Sequence, residues 1–390
     1  MVNKINLSII IVSLLLLFLP FCLKTYNFDQ NILLVEKRIL NKKPKFSIQN
    51  LEVSFQKFEK YYNDNFGLRK FFIKSNAKIM DDVFNTIGDE KSKVIQGVNN
   101  WLFYTAWNVV EDFQGKIKLD TEKLNKFTDY LTTTRNKLKA SNIEYIFVIS
   151  PKKESIYPEF LPDFIIQNKT DSYPSRLDQI MTNLKTKDSS FPFLDLKYEI
   201  LKNKKDHILY RTTDTHWNDL GAFFGYQQII NFINSNTQYK AKLLDLNNDF
   251  KLTTEMTTQG DLSAILNLKI EYKNYLLKLK NKKSTSASLK TKTTLIGIID
   301  IFKYQNLDQV QITYSKNKQK DLPKVLIIHD SFIAHYLTEE FMESFNEVTF
   351  VWAHPCEINV EEIKKQGFNI VIQQTAERYI GGFINKCFKN

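Results

Sequence analysis

The sequence predicts an α/β fold: a three-layer α/β/α sandwich around a mainly parallel sheet, preceded by an N-terminal transmembrane helix. Five short runs carry the sheet: Glu144–Ser150, Pro192–Leu196, Lys324–His329, Glu347–Trp352 and Asn369–Gln374. They are apolar and rich in β-branched residues, as strands covered on both faces should be. Helical segments lie between several of them, at Ser172–Thr186, Asp219–Ile233, Ile333–Ser344 and Val360–Gln366. Strand–helix alternation of this kind argues for parallel pairing with helices on both sides.

The anchor comes first in the chain. Ile5 to Leu23 is apolar, and no charge falls between Lys4 and Lys24. That length crosses a bilayer core. A cleaved signal peptide is the rival, but Leu19-Pro20-Phe21-Cys22 offers no small-x-small cleavage site. The sequence divides into an anchor (1–25), a stalk with leading helices (26–90) and an α/β domain (91–390). In the second part, helical periodicity runs over Leu51–Asn65 and again over Leu68–Phe84. Gln96 to Tyr104 reads as a turn entering a short strand, and a long helix is expected over Thr121–Ala140. Lys278–Lys292, rich in Lys, Ser and Thr, reads as a mobile surface loop.

Bulk composition bounds the function. The 390 residues are 43% apolar and 13% aromatic, enough for a real core. The net charge of +11 suits an anionic glycan or a lipid surface, yet the lysines are scattered. No zinc-finger or RNA-binding signature accompanies the charge, so nucleic acid is not an expected partner. Cys22 lies in the apolar run, which leaves Cys356 and Cys387 as the only pair able to bridge, and no CxxC supports a thiolate metal site.

Two segments can carry chemistry. In Lys324–Phe332, KVLIIHDSF, an apolar strand runs into Asp330-Ser331 and a helix follows. A nucleophilic serine belongs at such a strand end, where the next helix's amides can meet an oxyanion. Equally, Asp330 or Ser331 can be a plain helix cap. In Thr213–Asp219, TDTHWND, Asp214 and His216 are two apart, so an extended backbone sends both side chains to one face. The carboxylate can then hold one ring nitrogen and leave the other as a general base for Ser331. Alone, an Asp-x-His is more often structural; paired with a serine at a strand end, it points to catalysis. His329, His335 and His354 compete: the first belongs to the strand, the second is a backup base, the third can line the cleft edge. His207 reads as a surface residue. A metal site from Asp214, His216 and His354 is conceivable, but no metal motif supports it, and no cofactor is expected.

At these residues the sequence resembles the alginate O-acetylation proteins of the AlgJ/AlgX type, which have SGNH-hydrolase-like domains. Asp214-Thr215-His216-Trp217-Asn218, then Gly221-Ala222, then a strand ending Asp330-Ser331-Phe332 carry the likeness. Further fragments follow in order. They are Glu36-Lys37-Arg38 with Pro44; Asp64-Asn65-Phe66-Gly67-Leu68-Arg69; Gly97 with Trp101-Leu102-Phe103-Tyr104; Pro151, Lys152, Tyr157, Pro158 and Pro162; Gly260-Asp261-Leu262; and Glu377-Arg378.

The resemblance implies a permuted SGNH-like fold in which Ser331, His216 and Asp214 pass an acetyl group through an acyl-serine to hydroxyls of an exported polysaccharide. It implies a membrane O-acyltransferase of the MBOAT type as donor partner, and an envelope location with the catalytic domain outside the cytoplasm. The chain's His329-Asp330-Ser331 departs from the Gly-Asp-Ser of lipolytic relatives, and no G-x-N-D block supplies oxyanion donors. The short stretch after Glu377-Arg378 makes the anchored AlgJ type, without a carbohydrate-binding module, the nearer match. Lys152 is a candidate substrate contact, with a structural salt bridge as its alternative; Trp101, Trp107, Trp217 and Trp352 can stack on sugar rings, with Trp217 and Trp352 the candidates for the site and core packing the better reading of Trp101. Two other readings stay open: a polysaccharide acetyl esterase with the same site, and a non-catalytic membrane-tethered subunit.

Overall fold

The chain is described here by a computed structural model covering residues 41–45, 51–69, 93–170, 172–288, 311–317 and 321–388, with Leu19 and Leu23. The rest of the expected anchor, and all but the first two residues of the helix expected over Leu68–Phe84, lie outside the described residues. Among the described residues no helix is long and apolar enough to cross a membrane.

The strands are β1 (Val94–Gln96), β2 (Leu102–Tyr104), β3 (Glu144–Ser150), β4 (Phe193–Asp195), β5 (Phe250–Thr257), β6 (Tyr272–Leu279), β7 (Thr285–Ser288), β8 (Gln311–Lys316), β9 (Lys324–His329), β10 (Glu347–Trp352) and β11 (Ile370–Ala376). Seven form one sheet in the order β4-β3-β11-β9-β10-β8-β7. The first five run parallel, while β8 pairs antiparallel with β10, and β7 antiparallel with β8. β1–β2 and β5–β6 are separate antiparallel pairs.

The apolar runs lack polar alternation because both faces of the sheet are buried. Along β3, Ile146 and Val148 enter one core, while Tyr145, Phe147 and Ile149 enter the other. Along β9, Val325 and Ile327 divide from Leu326 and Ile328 in the same way. The helix Asp219–Asn236 covers the first face with Phe223, Tyr226 and Ile230. The helices Thr121–Lys139 and Arg176–Lys187 cover the second with Phe127, Leu131, Leu177 and Ile180. The result is the expected three-layer arrangement.

Two expectations need correction. The helix anticipated over Ile333–Ser344 is two short helices, Ser331–Ala334 and Thr338–Ser344, with His335 at the end of the first. The surface loop anticipated over Lys278–Lys292 begins within β6 and includes the edge strand β7, which pairs with β8. Cys356 and Cys387 are joined by a disulfide, with their Cα atoms 5.1 Å apart.

Candidate active site

β9 ends at the centre of the sheet's carboxyl edge, between β11 and β10. Connections leave β3 toward β4 and leave β9 toward β10, in opposite directions, and such a reversal opens a crevice at the strand ends. Asp330 closes β9 and caps the next helix: its Oδ1 accepts from Phe332 N at 2.9 Å. Its other oxygen accepts from Ala376 N at 2.7 Å, and Gln374 both accepts from Asp330 N at 3.0 Å and donates to Asp330 Oδ1 at 3.1 Å. Asp330 is therefore the cap, and Ser331 is the first helical residue, held at the rim by a clasp between β9 and β11. Phe332 N, one of the amides expected to meet an oxyanion, is committed to Asp330.

The second segment is a tight turn closed by one antiparallel bridge, Tyr210 with Trp217. Trp217 is fully buried, and its indole donates to Phe332 O at 3.1 Å. That bond joins the turn to the serine helix, and three groups fall into line. Ser331 Oγ lies 2.7 Å from His216 Nε2, and His216 Nδ1 lies 2.7 Å from Asp214 Oδ1. A carboxylate can only accept, so Nδ1 carries the hydrogen, Nε2 carries the lone pair, and the Ser331 hydroxyl donates to it.

Asp214 is fixed from several sides. Its Oδ1 also accepts from His216 N at 3.0 Å, and its Oδ2 accepts from Asp261 N at 2.9 Å with Arg211 Nη1 at 3.7 Å. Burial works to raise this carboxyl, but the His216 hydrogen bond and charge, Arg211 and the Asp261 amide together hold it well below the usual carboxylate range. Asp261 in turn accepts from Thr215 N at 2.8 Å and Thr215 Oγ1 at 2.6 Å. The Gly260–Asp261 turn approaches closely: a Cβ on Gly260 would sit 2.2 Å from Thr213 O.

The SGNH hydrolase-like domain of the acetyltransferase AlgX matches the chain over residues 94–312. The chain belongs to this family. The match spans Asp214 and His216 and ends before Ser331. Among solved structures, Bacillus cereus PatB1 with a sulfonyl adduct superposes with a TM-score of 0.53 at 17% identity, covering 75% of this chain and 96% of that one. A DHHW family protein from Eubacterium siraeum gives a TM-score of 0.51 at 15% identity, covering 77% and 97%. The O-acetyltransferase domain of Pseudomonas putida AlgJ gives 0.42 at 16% identity, covering 74% and 93%. At such identities the first two likenesses speak for the fold. No curated protein matches the chain.

The remaining expected residues of this AlgX-family domain fall in different places. Lys152 is a buried ion-pair residue, its ammonium held by Asp112 and by Glu377 at 3.2 Å. That is the structural alternative, and it leaves no free amine for substrate. Trp217, with its ring fully buried, has no face for a sugar. Trp352 is half-buried at the end of β10 with its ring 5.5 Å from His335. Trp107 is 46% exposed and packs 4.7 Å from Tyr379. Trp101 lies in the core, 4.4 Å from Phe160.

The other histidines separate clearly. His329 is buried in the sheet, its Nδ1 2.9 Å from Asp330 O, and burial pushes it down to about 4. His335 is half-buried, 6.1 Å from the His216 ring; burial and then the His216 charge lower it. His354 packs 5.3 Å from Tyr379, and His207, half-buried, 5.9 Å from Tyr275. His354 does not join Asp214 and His216. Among the described residues, the group close enough to share an ion is Asp214, His216 and Asp261, which the Thr215 and Asp214 hydrogen bonds already tie together.

Three further residues support the site: Arg211, Asp261 and Lys153. Arg211 donates to Tyr272 OH at 2.9 Å and to Gln259 O at 3.1 Å, tying the turn to its surroundings. Gly260-Asp261 was visible only as part of a resemblance. Lys153 stands at the Pro-x-Lys spacing from Pro151, one residue beyond the lysine singled out.

Proposed function

We propose that the chain is a polysaccharide O-acetyltransferase that works through an acetyl-Ser331 intermediate. Membership of an acetyltransferase family supports acyl transfer in general. The observation that carries the mechanism is the line of two 2.7 Å contacts, Asp214 to His216 to Ser331, at the carboxyl edge of the sheet.

In the first half-reaction His216 Nε2 takes the hydroxyl proton as Ser331 Oγ bonds to the donor's acetyl carbon. The tetrahedral adduct collapses, and the donor oxygen leaves with the proton from His216. In the second, His216 takes the proton of a sugar hydroxyl, whose oxygen attacks the acetyl carbon; the Ser331 oxygen leaves and recovers the proton. Asp214 holds the ring in the productive tautomer and faces the imidazolium in both halves. The half-buried Trp352 and the exposed Trp107 are the indoles disposed to meet sugar rings. An MBOAT-type O-acyltransferase as donor, an exported polysaccharide as acceptor, membrane attachment through Ile5–Leu23 and an envelope location complete the proposal.

The test is acetyl release from a chromogenic acetyl ester, with and without an oligosaccharide acceptor, in wild type and Ser331→Ala. The expected result is acetylated sugar from the wild type and a loss of about a thousandfold or more in the variant. Acetate alone, undiminished by acceptor, supports an esterase. Equal rates in the two proteins refute the serine.

A further inference from the structure

The turn that carries Asp214 and His216 has one antiparallel bridge, and its Thr212 O accepts from Leu102 N of β2 at 2.9 Å; its part-buried carbonyls have further acceptor capacity to fill. Arg211 O, Thr212 O and Asp214 O converge on Lys153 Nζ at 2.8, 2.7 and 3.0 Å, and Leu102 O of β2 joins them at 2.8 Å. Lys153 follows β3 in the first turn of the helix Lys153–Ile156 and is 2% exposed. Below the ammonium lie the Trp101 ring, 4.7 Å to the centroid, and the Phe103 ring at 5.2 Å. Its contacts are thus carbonyls and π-faces drawn from two parts of the chain, 101–103 and 211–214.

We propose that Lys153 is a positioning residue for the acyl-transfer site: its ammonium gathers the turn's carbonyls onto β2 and so sets the place from which Asp214 and His216 face Ser331. The inference rests on the catalytic reading of those three residues. An ammonium has three hydrogens to share among four oxygens, whereas a neutral amine has two and turns a lone pair toward them. The charged groups around it are Asp214 of the turn, Asp261 of the neighbouring turn and Glu154 of its own helix. Lys152, Arg378 and Tyr104 face it across a small cavity. Burial pushes Lys153 down to about 7, against the pull of Asp214, Glu154 and Asp261. The four carbonyls favour the ammonium against that burial, and the anchoring form is lost once Lys153 gives up its proton.

The experiment measures kcat and KM for acetyl release from 4-nitrophenyl acetate by wild type, Lys153→Met and Ser331→Ala, together with the low-field proton resonance of the Asp214–His216 hydrogen bond. Methionine keeps the volume and removes the donors. The expected result is a kcat lowered about 100-fold at little-changed KM, as a misplaced base should give. The low-field resonance is lost, in protein with an unaltered far-UV spectrum. In the wild type, kcat is expected to fall reversibly as the Lys153 ammonium, followed by NMR of 15N-labelled lysine, loses its proton, again with an unaltered far-UV spectrum. That second arm decides the matter where Lys153→Met does not fold. A folded Lys153→Met with kcat within about threefold of wild type, or a wild-type kcat unmoved through the titration of Lys153, overturns the inference. An active Ser331→Ala overturns the underlying site instead, so the two failures are distinguishable.

Discussion

Asp214 meets three donors with two oxygens: His216 Nδ1, His216 N and Asp261 N. Replacing it by Asn leaves the shape but offers an amide where the ring needs an acceptor, which favours the wrong tautomer. Asp214→Asn is expected to lower kcat by about 10⁴-fold, measured on the chromogenic ester. The same carboxyl predicts a pH signature in stability. Its pKa is depressed in the fold, so its contribution is fully present above the unfolded value of about 4 and fades as pH falls toward the folded one. The Tm difference between wild type and Asp214→Asn should be constant from neutral pH to about 5 and shrink below about 4. A difference that grows with acid contradicts the assignment. Asp214, His216 and Ser331 were legible because residue type and local backbone announce them. Lys153 was not, because its role depends on carbonyls, which every residue carries.

Packing of one element on another decides whether the turn keeps its shape. Gly260 is extended, so space and not backbone freedom makes glycine necessary there. An alanine Cβ would lie 2.2 Å from Thr213 O and 2.3 Å from Thr213 Oγ1. Gly260→Ala should therefore push the Asp261 turn away from Asp214, costing about 1–3 kcal/mol and most of the activity. Gly382 has nothing within 4 Å of a Cβ and lies inside the helix Ile380–Cys387. Gly382→Ala should gain about 0.5–1 kcal/mol with activity unchanged, which thermal unfolding and the ester assay check together.

The bounds of β3, β9 and β10 follow from their apolar runs, whose apolar residues divide between the two cores. β11 runs on to Ala376 past the anticipated Gln374 because Thr375 and Ala376 go on pairing with Ile149 and Ser150 of β3. The β5–β6 hairpin was illegible for the opposite reason. β5 is exposed almost throughout, so no burial imposes a pattern on its side chains.

At the scale of the molecule, the seven-stranded sheet brings together segments 115 residues apart, with Trp217 and Phe332 as the tie. The parallel, doubly covered architecture was readable because alternation of strands and helices leaves few other ways to bury so many apolar runs. The cross-link was readable only as the one pair able to bridge; that it forms depends on the segment after β10 meeting the end of the last helix, which no local pattern announces. Cys356 follows β10, and Cys387 ends the last helix, so the bridge encloses β11, a neighbour of the serine strand. For a sequence separation of 31, loop entropy gives about 3–4 kcal/mol. Reductant should lower Tm by about 5–15 °C in the wild type and leave Cys356→Ser unmoved. Equal curves with and without reductant contradict a structural bridge.

Ser331 is proposed to carry the acetyl group between two alcohols. Peptide mass spectrometry after rapid acid quench of a reaction with 4-nitrophenyl acetate addresses it directly. One acetyl group is expected on the peptide containing Ser331, removed when an acceptor sugar is added before the quench, and none in Ser331→Ala. Acetyl found only on lysines, or on the same peptides in both proteins, would contradict it.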